Sequence, residues 1–213
     1  MSALPPDATS LLDCWFADAT TSYAAARRRL DLWFGHHPDF DAALTARFES
    51  WPMRALNGEF ADWRNTARGT LALLIVLDQL PRNLYRGTPR AYACDAAAQA
   101  IALAAEQEDV AGGLHSIEVP FFYLPYEHAE DIELQRRCIA GYEREHARAP
   151  AEYAPIFVDC LKAAHDHHEI VERFGRFPHR NVILGRSSTA AELDYLGNGG
   201  KHWHQIAPAA PKG

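Results

Sequence analysis

The residues with the greatest chemical potential lie near the C-terminus, in Arg173-Phe174-Gly175-Arg176-Phe177-Pro178-His179-Arg180-Asn181, closed off by Gly185-Arg186. Four arginines, a histidine, two aromatics and three backbone breakers crowd into fourteen residues. A stretch built only to be solvated has no use for interleaved phenylalanines, and a core stretch has none for so much fixed charge. Phe174 and Phe177 are expected to fold this turn back onto the protein and hold Arg176, His179 and Arg180 at fixed angles. Guanidinium forks match carboxylate and phosphate. The chemistry on offer is therefore recognition of an anion, with Arg173, Asn181 and Arg186 as further candidates.

Two more blocks could share that site. Asp78-Gln79-Leu80-Pro81-Arg82-Asn83 sits where an apolar helix meets a proline. Arg82, Arg86 and Arg90 lie close to the helix-start signal Thr88-Pro89, where free N–H groups and the helix dipole attract anions. The plainer alternative pairs Asp78 with Arg82 or another arginine and leaves Asn83 to satisfy loose backbone carbonyls. Asp95, on one helical face with Tyr92 and Gln99, fits an ion pair with the Arg173–Arg186 block better than catalysis. In His128-Ala129-Glu130-Asp131, the acids either complement a helix dipole or join His128 and His165 or His167 as metal ligands.

The metal reading gains little. His165, His167 and His168 offer no clean His-x-x-x-His pair, so no bound metal is expected. An H…HD pattern through His128, His165-Asp166 and Asp194 is a chance match among eleven histidines. His168, on an apolar stripe, reads as a buried core residue, and His202 and His204 as weak metal scavengers. There is no G-x-S-x-G elbow, no G-x-G-x-x-G and no Walker P-loop, so neither a nucleophile nor a cofactor is indicated.

The elements that must position these residues are helices. Apolar spacing predicts them over Asp39–Ser50, Thr66–Gln79, from Thr88-Pro89 to about Glu108, Glu130–Ala147 and Ala151–Phe174. The run Leu71–Leu77, apolar all round, marks a buried central helix. Thr189-Ala-Ala-Glu192 is a capping box opening a short helix to Leu196, stopped by Gly197. Period-2 alternation is nearly absent, so the class is all-α, with antiparallel helix pairs joined by short connections. One domain over residues 1–198 is expected, with a Gly- and Pro-rich tail over 199–213 that frays.

With 213 residues and 48% hydrophobic content, the chain can bury a sizeable core. Its net charge of −7 argues against nucleic acid as a partner. The longest apolar run is too short to span a bilayer, and Met1-Ser-Ala-Leu-Pro-Pro-Asp7 lacks a signal-peptide pattern. Cys14, Cys94, Cys138 and Cys160 form no C-x-x-C pair and read as reduced thiols, so a cytoplasmic setting is expected.

Three blocks together carry a resemblance: Leu77–Asp95, Phe121-Phe-Tyr-Leu-Pro-Tyr-Glu-His-Ala-Glu-Asp131, and Arg173–Arg186. With Asp13-Cys-Trp-Phe16 and Leu32-Trp-Phe-Gly35, they resemble the largely bacterial domain-of-unknown-function family numbered 924 over nearly the whole length. That resemblance implies an all-α, tetratricopeptide-like right-handed superhelix or bundle, and no established activity. Ala129 stands where the family pattern places Ser, and His167-His168-Glu169 makes His167 the position matching the family's histidine. The expected function is binding of an anionic small molecule or an acidic peptide end in one arginine- and histidine-rich pocket. The alternatives are a hydrolase using His128, Asp131 and His167, metal-dependent or by acid/base chemistry, and a structural Arg–Asp lock.

Overall fold

In the computed structural model, residues 3–201 and 203 are described; His202 and His204 of the sequence reading, and the rest of the expected tail from 204 to 213, lie outside the described residues. Helices α1 (Pro6–Phe16), α2 (Tyr23–Phe34), α3 (Pro38–Phe48) and α4 (Trp51–Leu56) precede α5 (Ala67–Leu74). A wide turn over Ile75–Gln79 joins α5 to α6 (Leu80–Leu84), and α7 (Asp95–Glu106) and α8 (Val119–Glu127) follow. The long pair α9 (Ile132–Arg148) and α10 (Ala154–Phe174) leads to α11 (Ala190–Gly197). The fold is all-α, with no strand among the described residues.

Proline starts many of these helices. It occupies one of the first two positions of α1, α3, α4, α6, α8 and α10, where its missing N–H costs no hydrogen bond. Side-chain caps set other starts: Thr66 for α5, Asp131 for α9 and the full Thr189–Glu192 capping box for α11. The helix expected from Thr88 begins later. The Thr88 hydroxyl donates to the Tyr85 carbonyl instead of capping, residues 89–92 form a tight 3₁₀ turn, and α7 opens at Asp95.

Pro81 explains the wide turn. In α geometry its ring would meet the carbonyl of Leu77. The chain responds with one π turn, in which the Leu80 N–H reaches back five residues to the Ile75 carbonyl. That turn ends two residues before Pro81 and carries Asp78 and Gln79, both buried.

Two helices are buried along their whole lengths or nearly so. One is the stretch from Gly69 through Gln79, as its all-apolar pattern predicts. The other is α8, with every residue from Val119 to Glu127 buried, which the sequence reading did not assign because Pro120 and Pro125 interrupt it. α8 packs against α5, α7, α9 and α10. On α10 the buried stripe carries His167, and His168 is only half-buried, one position away from the expectation. Cysteines 14, 94, 138 and 160 are all free thiols.

α9 approaches α8 through Gly141, where an added Cβ would lie 2.4 Å from the Tyr123 ring. Tyr123 is fully buried and cannot swing away. Gly141→Ala is therefore expected to destabilise the protein by about 1–3 kcal/mol through overpacking. Urea denaturation measures it; an unchanged midpoint would show that the two helices have room to spare.

Candidate functional site

Asp78 is the meeting point of the three blocks. Its carboxylate lies 2.9 and 3.0 Å from His128 Nδ1 and 3.2 Å from an Arg82 nitrogen, and Gln79 donates to it. Arg82 also donates to the Asp78 carbonyl at 2.7 Å and forks onto Asp95 at 2.8 and 2.9 Å. Arg180 donates to the His128 carbonyl at 3.0 Å and lies 3.8 Å from Asp95. Its guanidinium is held between the rings of Tyr92 and Phe177, at 4.8 and 4.4 Å, while its Nε is buried without a hydrogen-bond partner among the described residues.

The electrostatics follow from burial and pairing. Burial would raise the Asp78 carboxyl; the charge of Arg82 and the contact with His128 override it and hold the group well below the usual carboxylate range. Burial and the charge of Arg82 push His128 below its ordinary value, so it is neutral at pH 7. With an ionised carboxylate facing Nδ1, the proton resides there and Nε2 carries the lone pair.

Arg86, Arg176 and Arg186 are also paired. Arg86 forks onto Asp41 at 3.0 and 3.2 Å, and Asn83 donates to the same carboxylate at 2.8 Å. Arg176 forks onto the buried Glu192 at 2.6 and 2.8 Å. Arg186 forks onto Glu130, which also accepts from the Phe177 N–H, and donates through Nε to Asn181. Each of these is a carboxylate–guanidinium fork with both partners in the protein.

The expected site residues therefore divide. Asp78, Arg82, Asp95, His128 and Arg180 share one cluster. Asn83 and Arg86 flank it through Asp41. Glu130, Asn181 and Arg186 form a second cluster behind Phe177. Arg176 pairs with Glu192. Asp131 is an exposed N-cap that accepts from Glu133 and Leu134. Arg90 is exposed and lies over Tyr85, and Arg173 is exposed over Phe174 and Tyr195. His179 lies 5.6 Å from Trp203, ring to ring.

Beside the first cluster opens a cavity of about 500 Å³. α2 contributes Trp33 and Phe34, α8 contributes Phe121, Leu124, Glu127 and His128's neighbourhood, and α10 contributes Ile156, Cys160 and His167. Gln79, Arg82, Asn83 and Arg86 complete the polar side, and Trp203 closes over His167, stacked at 3.7 Å. Its walls are mainly apolar. Glu127 is buried with its Oε1 3.4 Å from His167 Nδ1, but that nitrogen is already 2.8 Å from the Ala163 carbonyl. Burial drives His167 well below its ordinary value, so it is neutral. Burial likewise pushes the Glu127 carboxyl up to about 8.

Sequence reasoning missed Asp41, Glu127 and Trp203. Asp41 gave only a first-turn signal on α3. Glu127 did leave one: it is the only charged side chain in the run from Val119 to Glu127. Trp203 was read as part of a fraying tail. No group of three or more His, Cys, Asp or Glu side chains placed to hold a metal ion occurs among the described residues.

Removing Arg82 strands both Asp78 and Asp95 in the interior. Arg82→Ala should cost about 3–5 kcal/mol, the usual consequence of leaving a buried charge unpaired. Arg90→Ala and Arg173→Ala should leave the denaturation midpoint unchanged. Denaturant melts of the three variants decide it, and a near-neutral Arg82→Ala would contradict the pairing.

The relatives agree with the fold. A protein of unknown function from Agrobacterium tumefaciens, whose structure is solved, is similar at 35% identity, with a TM-score of 0.75 over 90% of this chain and 97% of that one. No curated protein matches the chain. The model of a family described as bacterial protein of unknown function (DUF924) matches residues 11–200, and the chain belongs to that family.

Proposed function

We propose that this protein binds a small molecule in the cavity beside Asp78, with an apolar body among the aromatic walls and a polar end at Glu127, His128 and His167. The observation that carries this reading is the cavity itself: about 500 Å³, mostly apolar, with a few converging polar groups at one end. That combination is the usual signature of a ligand site. Trp33, Phe34 and Phe121 supply a packed aromatic wall, with Phe34 and Phe121 stacked at 5.9 Å.

The expectation of an anionic ligand rested on arginine forks, and those forks are engaged by Asp78, Asp95, Asp41, Glu192 and Glu130. A ligand carboxylate or phosphate would have to displace a protein carboxylate and strand it. The small-molecule site therefore rests on the apolar cavity and not on an arginine cradle. The paired arginines serve as a lock that joins α3, α6, α7 and the turns after α8 and α10.

The acid/base alternative ranks second. His128 has the orientation of a general base, fixed through Nδ1 by Asp78. The other two residues of that set do not join it. Asp131 caps α9 in solvent, and His167 lies 6.3 Å away ring to ring with Nδ1 at the Ala163 carbonyl.

Nile red, an uncharged apolar fluorophore, tests the cavity directly. Saturable one-to-one binding is expected, weakened at least about tenfold by Ile156→Trp, which fills the wall with bulk; tenfold corresponds to about 1.4 kcal/mol. Absence of saturable binding, or equal binding by a folded Ile156→Trp protein, would overturn the proposal.

A further inference from the structure

Glu127 is an anomaly inside the cavity. It is the last residue of α8, it is 4% exposed, and it lines the apolar chamber. Every other buried carboxylate among the described residues has an arginine: Asp78 has Arg82, Glu118 has Arg68, Glu145 has Arg144 and Arg148, and Glu192 has Arg176. Among the described residues no Lys or Arg reaches Glu127 within ion-pair distance, and its one such neighbour is His167.

The groups facing it from each packed element supply no positive charge. α9 presents the Cys138 thiol, 4.0 Å away, and Tyr142, whose hydroxyl sits between Glu127 and the Pro120 carbonyl. α10 presents the neutral His167 and the Cys160 thiol, and the π turn presents the negative Asp78. A buried carboxyl without a cation is costly when ionised, and this one keeps its proton at pH 7 in consequence.

Resting on the cavity reading above, we propose that the ligand is an apolar amine whose ammonium group forms an ion pair with the Glu127 carboxylate. The proton balance is simple. A neutral amine takes the proton from Glu127, or an ammonium enters and the Glu127 proton leaves to solvent; both routes end at the same ion pair. The chamber suits the rest of such a molecule. The electron-rich faces of Trp33, Phe34 and Phe121 attract cations as well as alkyl or aryl chains. Asp31 and Asp159, also on the cavity wall and largely exposed, place carboxylates on its solvent side, beside His37 and Arg27 respectively.

The test is displacement of Nile red at pH 7 by three chain-matched probes: n-octylamine, n-octanol and n-octanoate. The amine should displace the dye at least about tenfold more effectively than the alcohol, with the octanoate weakest. In Glu127→Gln, which keeps the shape and the neutral state of the native carboxyl, the amine should lose its advantage and fall to the level of the alcohol. Equal displacement by all three in the native protein, or a preference for octanoate, would overturn the amine assignment and leave the cavity reading standing. Failure of Nile red to bind at all would remove the cavity reading and this assignment with it. The ranking in the native protein decides the matter even if Glu127→Gln does not fold.

Discussion

An ionised carboxylate in a protein interior must be compensated, and Asp78 imposes that demand on everything around it. It is 1% exposed and sits in the π turn that Pro81 forces on the buried α5–α6 segment. Arg82 answers it, and because a guanidinium has more donors than one carboxylate can use, Arg82 also captures Asp95 at the start of α7. His128, at the end of α8, donates its Nδ1 proton to the same carboxylate, and its own carbonyl receives Arg180. Four separate elements are thereby fixed to one buried charge. The arrangement costs desolvation and is weak evidence for net stability; its effect is to fix position, because removing any partner leaves another exposed to the same penalty.

The consequence for function is a division of charge. Guanidinium–carboxylate forks close on one side of His128, and the apolar chamber opens on the other. Arg82, Arg86 and His128 stand near the boundary with their strongest hydrogen bonds directed into the lattice. Glu127 stands one residue away, inside the chamber and outside the lattice. Adjacent residues in α8 thus meet opposite environments: the charge of Asp78 is stabilised beside His128, and that of Glu127 is suppressed.

Much of this was legible in the sequence, for reasons that can be named. The buried helix through Leu71–Leu77, the capping box at Thr189 and the end of α10 at Phe174 depend on local patterns, and local patterns survive in a linear reading. The polar blocks around Asp78, His128 and Arg180 stood out because charge beside proline-marked helix ends needs partners. Which arginine meets which carboxylate was legible only in part: Asp78 meets Arg82, as the plainer alternative had it, and Asp95 lies 3.8 Å from Arg180 of the expected block, but its fork comes from Arg82, thirteen residues away. α8 was hidden by Pro125, and Asp41 by its resemblance to an ordinary first-turn acid. The cavity has no sequence signature, since its walls come from α2, α8 and α10 and its closing ring from Trp203.

The central claim is that the carboxyl groups of Asp78 and Glu127 lie on opposite sides of this division, and their titration tests it most directly. With carbon-13 label in the carboxyl groups and Glu127→Gln to assign the signal, NMR should show Glu127 losing its proton near pH 8. Asp78 should stay ionised to the lowest pH at which the protein remains folded. The same proton has a thermodynamic sign. The unfolded chain releases it near pH 4.5 and the folded one near pH 8, so the native state holds the extra proton in that window and stability falls as pH rises through it. In Glu127→Gln that part of the slope disappears. A Glu127 midpoint near 4.5 would mean that the carboxylate already has a partner or water around it, and would contradict the account.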